Sequence, residues 1–297
     1  MNIIGNIYKV DIAHKLIAIK TYNKLNYFYF QNSQLQVFKR YLYEGVYINL
    51  EYDEDKVFRK NKINAYLVNF VNEIYSMSMY KRVKYYDKEE INGSLSKFLS
   101  SLGNVMFLDL EMTMPSYGFS GSSFQAEIVQ AGYLLMDSNG EEISRYSNYI
   151  KPVVHKELSN RVLKFLNIDH TEFYSKSITY KDFYDDFKEV IDIYHPAIIV
   201  YGKNDSITLN NSYKINKVKS LEKVTRFVNL SKIIKNYYNL KNDPGLFKLY
   251  QIYYNNDDLQ IHDAFNDSLV TKEVFKAFKD DVNHKTNFYD EIRRILQ

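Results

Sequence analysis

The 297-residue sequence predicts a small β-barrel followed by an α/β domain, a mixed sheet flanked by helices. Three observations carry this. The first 75 residues hold five short runs rich in Ile, Tyr and Phe, separated by polar breaks. From residue 104 onward a β-hairpin pattern gives way to alternating helical and extended patterns. Two of the apolar runs there end abruptly in acidic residues.

The five runs are residues 3–10 (IIGNIYKV), 15–22 (KLIAIKTY), 26–31 (NYFYFQ), 43–55 (YEGVYINLEYDED) and 63–74 (INAYLVNFVNEI). Five strands in so short a span suit a small closed barrel over residues 1–75. Residues 76–103 are mostly polar and read as a connector, with one short helix in LSKFLSSLG ended by Gly103. Residues 104–112 (NVMFLDLEM) begin the second domain, expected over 104–282. Residues 127–137 and 141–152 follow as a hairpin turning at Ser138-Asn139-Gly140. Helical spacing marks residues 156–166, 180–194, 206–216, 245–254 and 262–280; residues 196–202 read as a strand, and 225–230 as a strand running into 231–240. Residues 283–297 form a helical tail.

Composition narrows the class. Charged residues make up 25% and hydrophobic ones 45%, as in a folded globular chain. No apolar run is long enough to span a bilayer, and the first residues lack a secretory pattern. Cysteine is absent, so neither a disulfide framework nor a thiolate zinc site is expected; a cytoplasmic location is. Residues 1–85 carry 13 Lys/Arg against 7 Asp/Glu, and the remainder 26 against 29. A basic first part beside a mildly acidic second part suits a grip on a polyanion next to a cation site.

The chemistry lies in three pieces. In Asp109-Leu110-Glu111 the two carboxylates share one face of a strand and can hold a hard cation through oxygen. A D-x-E triplet is common in a chain with 36 acids, and Asp87-Lys88-Glu89 is another, read as solvated surface. Asp109 differs because the apolar run Val105-Met106-Phe107-Leu108 precedes it, and burying unpaired charge is expensive. Asp205 follows the apolar run 196–202, at a strand end where open α/β sheets gather ligand groups; a lone Asp there is more often a helix N-cap. His262 and Asp267 stand five apart, about 140° around a helix. They reach one cavity if His262 lies in the loop or first turn. Four carboxylates and one His are what two-metal phosphodiester hydrolysis requires, the His deprotonating the attacking water.

Order and setting match a family. Asp109-Leu110-Glu111-Met112-Thr113, then Glu127-Ile128-Val129-Gln130-Ala131-Gly132, then Tyr201-Gly202-Lys203-Asn204-Asp205, then His262-Asp263-Ala264-Phe265-Asn266-Asp267-Ser268 resemble the motifs of the DEDDh 3′→5′ exonucleases. Lys151-Pro152, Leu158-Ser159 and Gly245-Leu246 resemble marks of the RNA-trimming Eri-1 and KapD type. The resemblance spans about residues 104–280. It implies an RNase H-like fold and two Mg²⁺ or Mn²⁺ ions. Asp109, Glu111 and Asp267 would ligate the first ion, with Asp109 and Asp205 at the second and His262 as general base. Met112 and Thr113 would line the 3′-terminal nucleotide pocket. The implied partner is a single-stranded 3′ end, RNA before DNA. Departures are the long loop 115–125 and Asn167-Ile168, where relatives have Thr-Gly-Ile. Gly5, Asn32-Ser33, the Gly45–Glu51 stretch and Ala65-x-x-Val68 resemble the cold-shock branch of the OB-fold, which implies nucleic-acid binding by the barrel.

Four other readings compete: a DNA-directed proofreading or repair-type exonuclease, a catalytically silent nucleic-acid-binding protein, a first domain that is a protein-interaction or spacer module rather than an RNA-holding barrel, and a metal phosphohydrolase built on the pair His262-Asp263. The last needs further histidines, and His155, His170 and His195 lie in segments that do not obviously supply them.

Overall fold

The structure is a computed structural model that describes residues 1–22, 24–60, 62–79, 81–118, 124–256 and 263–296. Two units separate, Met1–Leu95 and Ser96–Gln297.

In the first unit, β1 (Asn2–Asp11), β2 (Leu16–Thr21) and β3 (Lys24–Tyr29) form a meander. A short helix α1 (Asn32–Phe38) leads to β4 (Tyr47–Lys60), β5 (Ile63–Met77) and β6 (Arg82–Asp87). The sheet order is β3-β2-β1-β4-β5-β6, and β3 also pairs parallel with β5 through Phe28–Tyr66 and Tyr29–Leu67. That last pairing closes five strands into a barrel. Alternation decides which side chains fill it: Phe28 and Phe30 are fully buried with Ile7, Ile19, Ile48 and Val68, so Tyr27 and Tyr29 face outward. Three register shifts between β4 and β5 bend these long strands so the barrel can close.

The helix α1 was not legible in the sequence. Its Leu35 and Phe38 join the barrel core. Buried Gln34 accepts from the Gln31 amide (3.0 Å) and donates to the carbonyls of Val68 and Asn69 (3.1 and 3.0 Å). Residues 76–103, expected as a connector with one short helix, carry that helix as α2 (Lys88–Ser100) and also add strand β6 to the barrel sheet. Asp87 of the Asp87-x-Glu89 triplet is a helix cap: its Oδ1 accepts from the amides of Glu89 (3.0 Å) and Glu90 (3.2 Å).

The second unit is an RNase H-like α/β fold. Strands β7 (Val105–Met112), β8 (Ile128–Met136) and β9 (Glu142–Tyr149) are antiparallel neighbours. Gly140, at φ +85°, makes the turn between β8 and β9. Helices α3 (Asn160–Phe165), α4 (His170–Lys176) and α5 (Tyr180–Tyr194) precede β10 (Ala197–Val200). Then come α6 (Asn204–Ile215), β11 (Arg226–Asn229), α7 (Leu230–Tyr238), α8 (Leu246–Tyr254), α9 (Ala264–Val282) and α10 (Tyr289–Leu296). The sheet order is β11-β10-β7-β8-β9, with β10 parallel to both β7 and β11. Only residues 160–165 of the expected 156–166 helix are helical, because Ser159 caps it (Oγ accepts from the Val162 amide, 3.4 Å). In the C-terminal stretch, Ile292 of α10 is fully buried.

The strand β7 sorts its side chains by parity. Met106, Leu108 and Leu110 pack with Phe183, Phe187 and Leu209 of α5 and α6. Phe107 turns the other way and meets Phe275 of α9 (ring centroids 5.5 Å). Asp109 and Glu111 share the Phe107 parity, so they project toward α9.

Candidate active site

Two strands and two helix starts build the site. Asp109 and Glu111 lie at the carboxyl end of β7, opposite Gly132 and Gln130 of β8. Asp267 sits in the first turn of α9. Oxygens of Asp109, Glu111 and Asp267 all lie within 4.8 Å of one another. Asp205 occupies the first turn of α6, just beyond β10. Its role as an N-cap is excluded, because Lys203 holds that position. Asp205 Oδ1 instead reaches across to β7 and accepts from the Leu110 amide (3.2 Å), between the two acids of that strand.

Electrostatics mark the cluster. Burial first, then repulsion from Asp205, Asp267 and Glu111, holds Asp109 protonated well above the usual carboxylate range. Burial and the neighbouring acids push Glu111 up to about 8, and burial with the Asp263 charge pushes Asp267 up to about 7. Asp205 rises to about 6 by burial, against two backbone hydrogen bonds that lower it. One buried oxygen, Asp267 Oδ1, has no hydrogen-bond partner among the described residues. Four crowded carboxylates and an orphaned oxygen are unfavourable alone and fit a hard divalent cation, whose charge would relieve both.

Three residues outside the predicted set position this cluster. Gly132 lies under the start of α9: a Cβ there would stand 2.2 Å from the Phe265 nitrogen and 2.3 Å from the Ala264 carbonyl carbon. Only glycine lets α9 approach β8 so closely. Gln130, 2% exposed, clamps the same turn: Nε2 donates to Asp263 Oδ2 (2.6 Å), and Oε1 accepts from the Ala264 amide (3.3 Å). Buried Glu127 accepts from the amides of Val153 (2.6 Å), Val154 (3.0 Å) and His155 (2.6 Å), fixing the chain after β9. The sequence showed all three only as a motif with no assigned task. For Gln130 the available signal was a polar residue inside a strand of apolar residues.

His262 lies outside the described residues, as does 119–123 of the loop after the first motif. Asp263 caps α9, accepting from the Asn266 amide (3.0 Å) as well as from Gln130. That occupies the carboxylate the phosphohydrolase reading needed. His155 stacks on Phe124 (4.7 Å), His170 meets Tyr174 at a 45° tilt (4.6 Å), and His195 ends α5, so none of them joins the cluster. Asn167 has φ +51°, a left-handed conformation asparagine tolerates.

Two cavities adjoin the strand end. One, of about 380 Å³, is lined by Asp109, Asp267, Tyr201 and residues 245–248, with the exposed Lys248 in the first turn of α8. The other, of about 320 Å³, is lined by Thr113, Phe124, His155 and Ser159, among others. Thr113 is buried; its Oγ1 accepts from the Glu127 amide (2.9 Å) and its amide donates to the Glu127 carbonyl (2.8 Å). Met112 accepts at Sδ from Thr208 Oγ1 (3.2 Å).

Comparison with known proteins agrees with this geometry. The RNase T exonuclease family profile matches residues 106–275, more than half of the chain. The Bacillus subtilis (strain 168) protein named "Probable 3'-5' exonuclease KapD" is 25% identical over 178 residues, covering 60% of this chain and 85% of that one. A full-length 3'-exonuclease crystal structure superposes with TM-score 0.51 at 16% identity, over 62% of this chain and 83% of that one. The nuclease domain of 3'hExo, a DEDDh family member bound to rAMP, superposes with TM-score 0.50 at 18% identity, over 62% and 94%. The likeness to the solved structures supports the fold, and the profile match supports the family. The chain therefore belongs to the DEDDh, RNase T-like family of 3′→5′ exonucleases.

Proposed function

We propose that this protein trims single-stranded nucleic acid from its 3′ end, RNA in preference to DNA. The observation that carries the reading is the convergence of Asp109, Glu111 and Asp267 within 4.8 Å around a buried Asp267 oxygen that has no partner among the described residues. These three would hold one divalent ion, Mg²⁺ or Mn²⁺, with Asp109 and Asp205 serving a second. Bound ions of this kind neutralise phosphodiester charge and favour attack by water.

The chain's own groups have separable tasks. Asp205, tied to the Leu110 amide, keeps its carboxylate oriented at the strand end. His262 takes the proton from the attacking water at a ring nitrogen, the role its place five residues before Asp267 implies. Thr113, locked to Glu127 from both sides, offers a fixed wall for the terminal sugar beside the 320 Å³ cavity, with Met112 next to it. Lys248 brings a positive charge to the cavity that holds Asp109 and Asp267, and there balances a phosphate oxygen.

The preference for RNA is supported by the KapD-like marks and by the ribonucleotide in the DEDDh relative's crystal structure. Side-by-side digestion of matched RNA and DNA oligomers, single- and double-stranded, tests it. Single-stranded RNA should be shortened fastest, from the 3′ end. Equal rates on RNA and DNA would remove the substrate assignment, and internal cuts would remove the exonuclease reading.

A further inference from the structure

The barrel carries a second, separate feature. Because Phe28 and Phe30 fill the barrel, Tyr29 projects from its outer face. The ring of Phe58, from the end of β4, stacks on it at 5.3 Å and 30°, and Phe58 is 38% exposed. Two ammonium groups flank the same ring: Lys60 Nζ at 5.0 Å and Lys15 Nζ at 6.0 Å from the Tyr29 centroid.

Their places in the fold explain why they meet. Lys15 ends the turn between β1 and β2, where its carbonyl accepts from the Phe30 amide (2.9 Å). Lys60 ends β4, paired with Ile63 across the turn into β5. Both turns therefore flank the outer face of β3. Among the described residues neither lysine is paired with a carboxylate. The acid nearest in sequence to Lys15 in that turn, Asp11, is engaged by His14 (2.9 Å). The surrounding residues 1–85 are net basic, 13 Lys/Arg against 7 Asp/Glu.

We infer that Tyr29, Phe58, Lys15 and Lys60 form a binding site for one segment of single-stranded nucleic acid, a base on the aromatic pair and backbone phosphates on the lysines. An aromatic face accepts any base, and only an unpaired strand exposes base faces to it. The two ammonium groups supply the charge complement that a purely apolar docking partner would not use. A surface cation–π cluster with no ligand would contribute to barrel stability alone, and the test separates the two. The site is distinct from the hydrolytic cluster, so the inference goes beyond the exonuclease reading.

The experiment uses the full chain in EDTA, with fluorescence anisotropy of a labelled single-stranded oligouridylate. Tyr29→Ala and Phe58→Ala should each weaken binding about tenfold, and Tyr29→Phe should bind as the parent does. Lys15→Gln and Lys60→Gln should each lower the slope of log affinity against log salt by about 0.7. With divalent ions restored, every variant should hydrolyse a dinucleotide at the parental rate. A chain that binds but never cuts would sink the exonuclease reading and leave this one standing. Parental affinity in Tyr29→Ala, or a parental salt slope in the Lys15→Gln/Lys60→Gln double variant, overturns the inference. So does equal affinity for duplex, or a protein-only ligand for the face. If Tyr29→Ala lowers the melting temperature sharply, the double lysine variant carries the decision, since both positions are on the surface.

Discussion

Adding one methyl group at Gly132 should disable the enzyme without touching any carboxylate. A Cβ at this position would meet the Phe265 nitrogen at 2.2 Å and the Ala264 carbonyl carbon at 2.3 Å, whereas ordinary contacts begin at 3.4 Å. The obstacles are backbone atoms of the first turn of α9, so no flexible side chain can swing aside. Accommodation requires α9 to retreat from β8 by about 1 Å, and Asp267 lies two residues beyond Phe265. A displacement of that size at a reacting constellation costs on the order of 10²-fold in rate, and overpacking costs about 1–3 kcal/mol of stability. Gly132→Ala should therefore remain folded, with kcat/KM on a 3′-ended oligonucleotide reduced about 100-fold and Mn²⁺ affinity weakened in calorimetry. A variant within twofold of the parent in kcat/KM would refute the claim that close approach of α9 to β8 sets the cluster.

Other outcomes follow from the same geometry. Gln130→Ala removes the donor to Asp263 Oδ2 and leaves a half-buried carboxylate short of a partner; it should cost about 1–3 kcal/mol in denaturant unfolding and about tenfold in kcat/KM. Unchanged stability would show that the clamp is idle. Lys248→Gln should lower kcat/KM about tenfold, with Lys248→Arg largely restoring it; equal losses in both would contradict a charge role. The ion-free protein should lose stability as pH rises. Raised carboxyl pKa values mean the folded state keeps protons that the unfolded chain releases above about pH 4. The contribution is thus present below that pH and lost as pH passes about 6, 7 and 8, the values of Asp205, Asp267 and Glu111. In EDTA the melting temperature should fall by a few degrees between pH 5.5 and 8, and Mg²⁺ should raise it more at pH 8. A flat or rising EDTA profile would contradict the buried, unrelieved cluster.

The second unit was more legible in the sequence than the first, for a physical reason. Residues 180–194 show an uninterrupted 3.6-residue spacing, and α5 occupies all of them. Residues 105–108 are apolar on both parities because β7 is covered on both faces, and that is also why Asp109 and Glu111 stood out. Asp87-x-Glu89 lacked such a run and became a helix cap. In the first unit the missed elements were those held by long-range partners, whereas α4, also unforeseen, is capped locally by Asp169. The short α1 depends on Gln34 reaching carbonyls more than 30 residues away, and β6 exists because β5 offers it an edge. The closing β3–β5 pairing, two residue pairs long, leaves no local trace at all. Around the cluster, Gln130 and Gly132 were visible as letters in a motif. Their tasks became visible only once β8 and the first turn of α9 were adjacent in space.

We propose that Asp109, Glu111 and Asp267 together hold a divalent ion that 3′-end hydrolysis depends on. The most direct test is digestion of a 5′-labelled single-stranded RNA by the parent and by Asp267→Asn, with Mg²⁺ or Mn²⁺ and again in EDTA. The parent with ions should give a ladder receding from the 3′ end, and the RNA should stay intact with the parent in EDTA and with Asp267→Asn throughout. Equal degradation by parent and variant, or a ladder that persists in EDTA, would contradict the proposal.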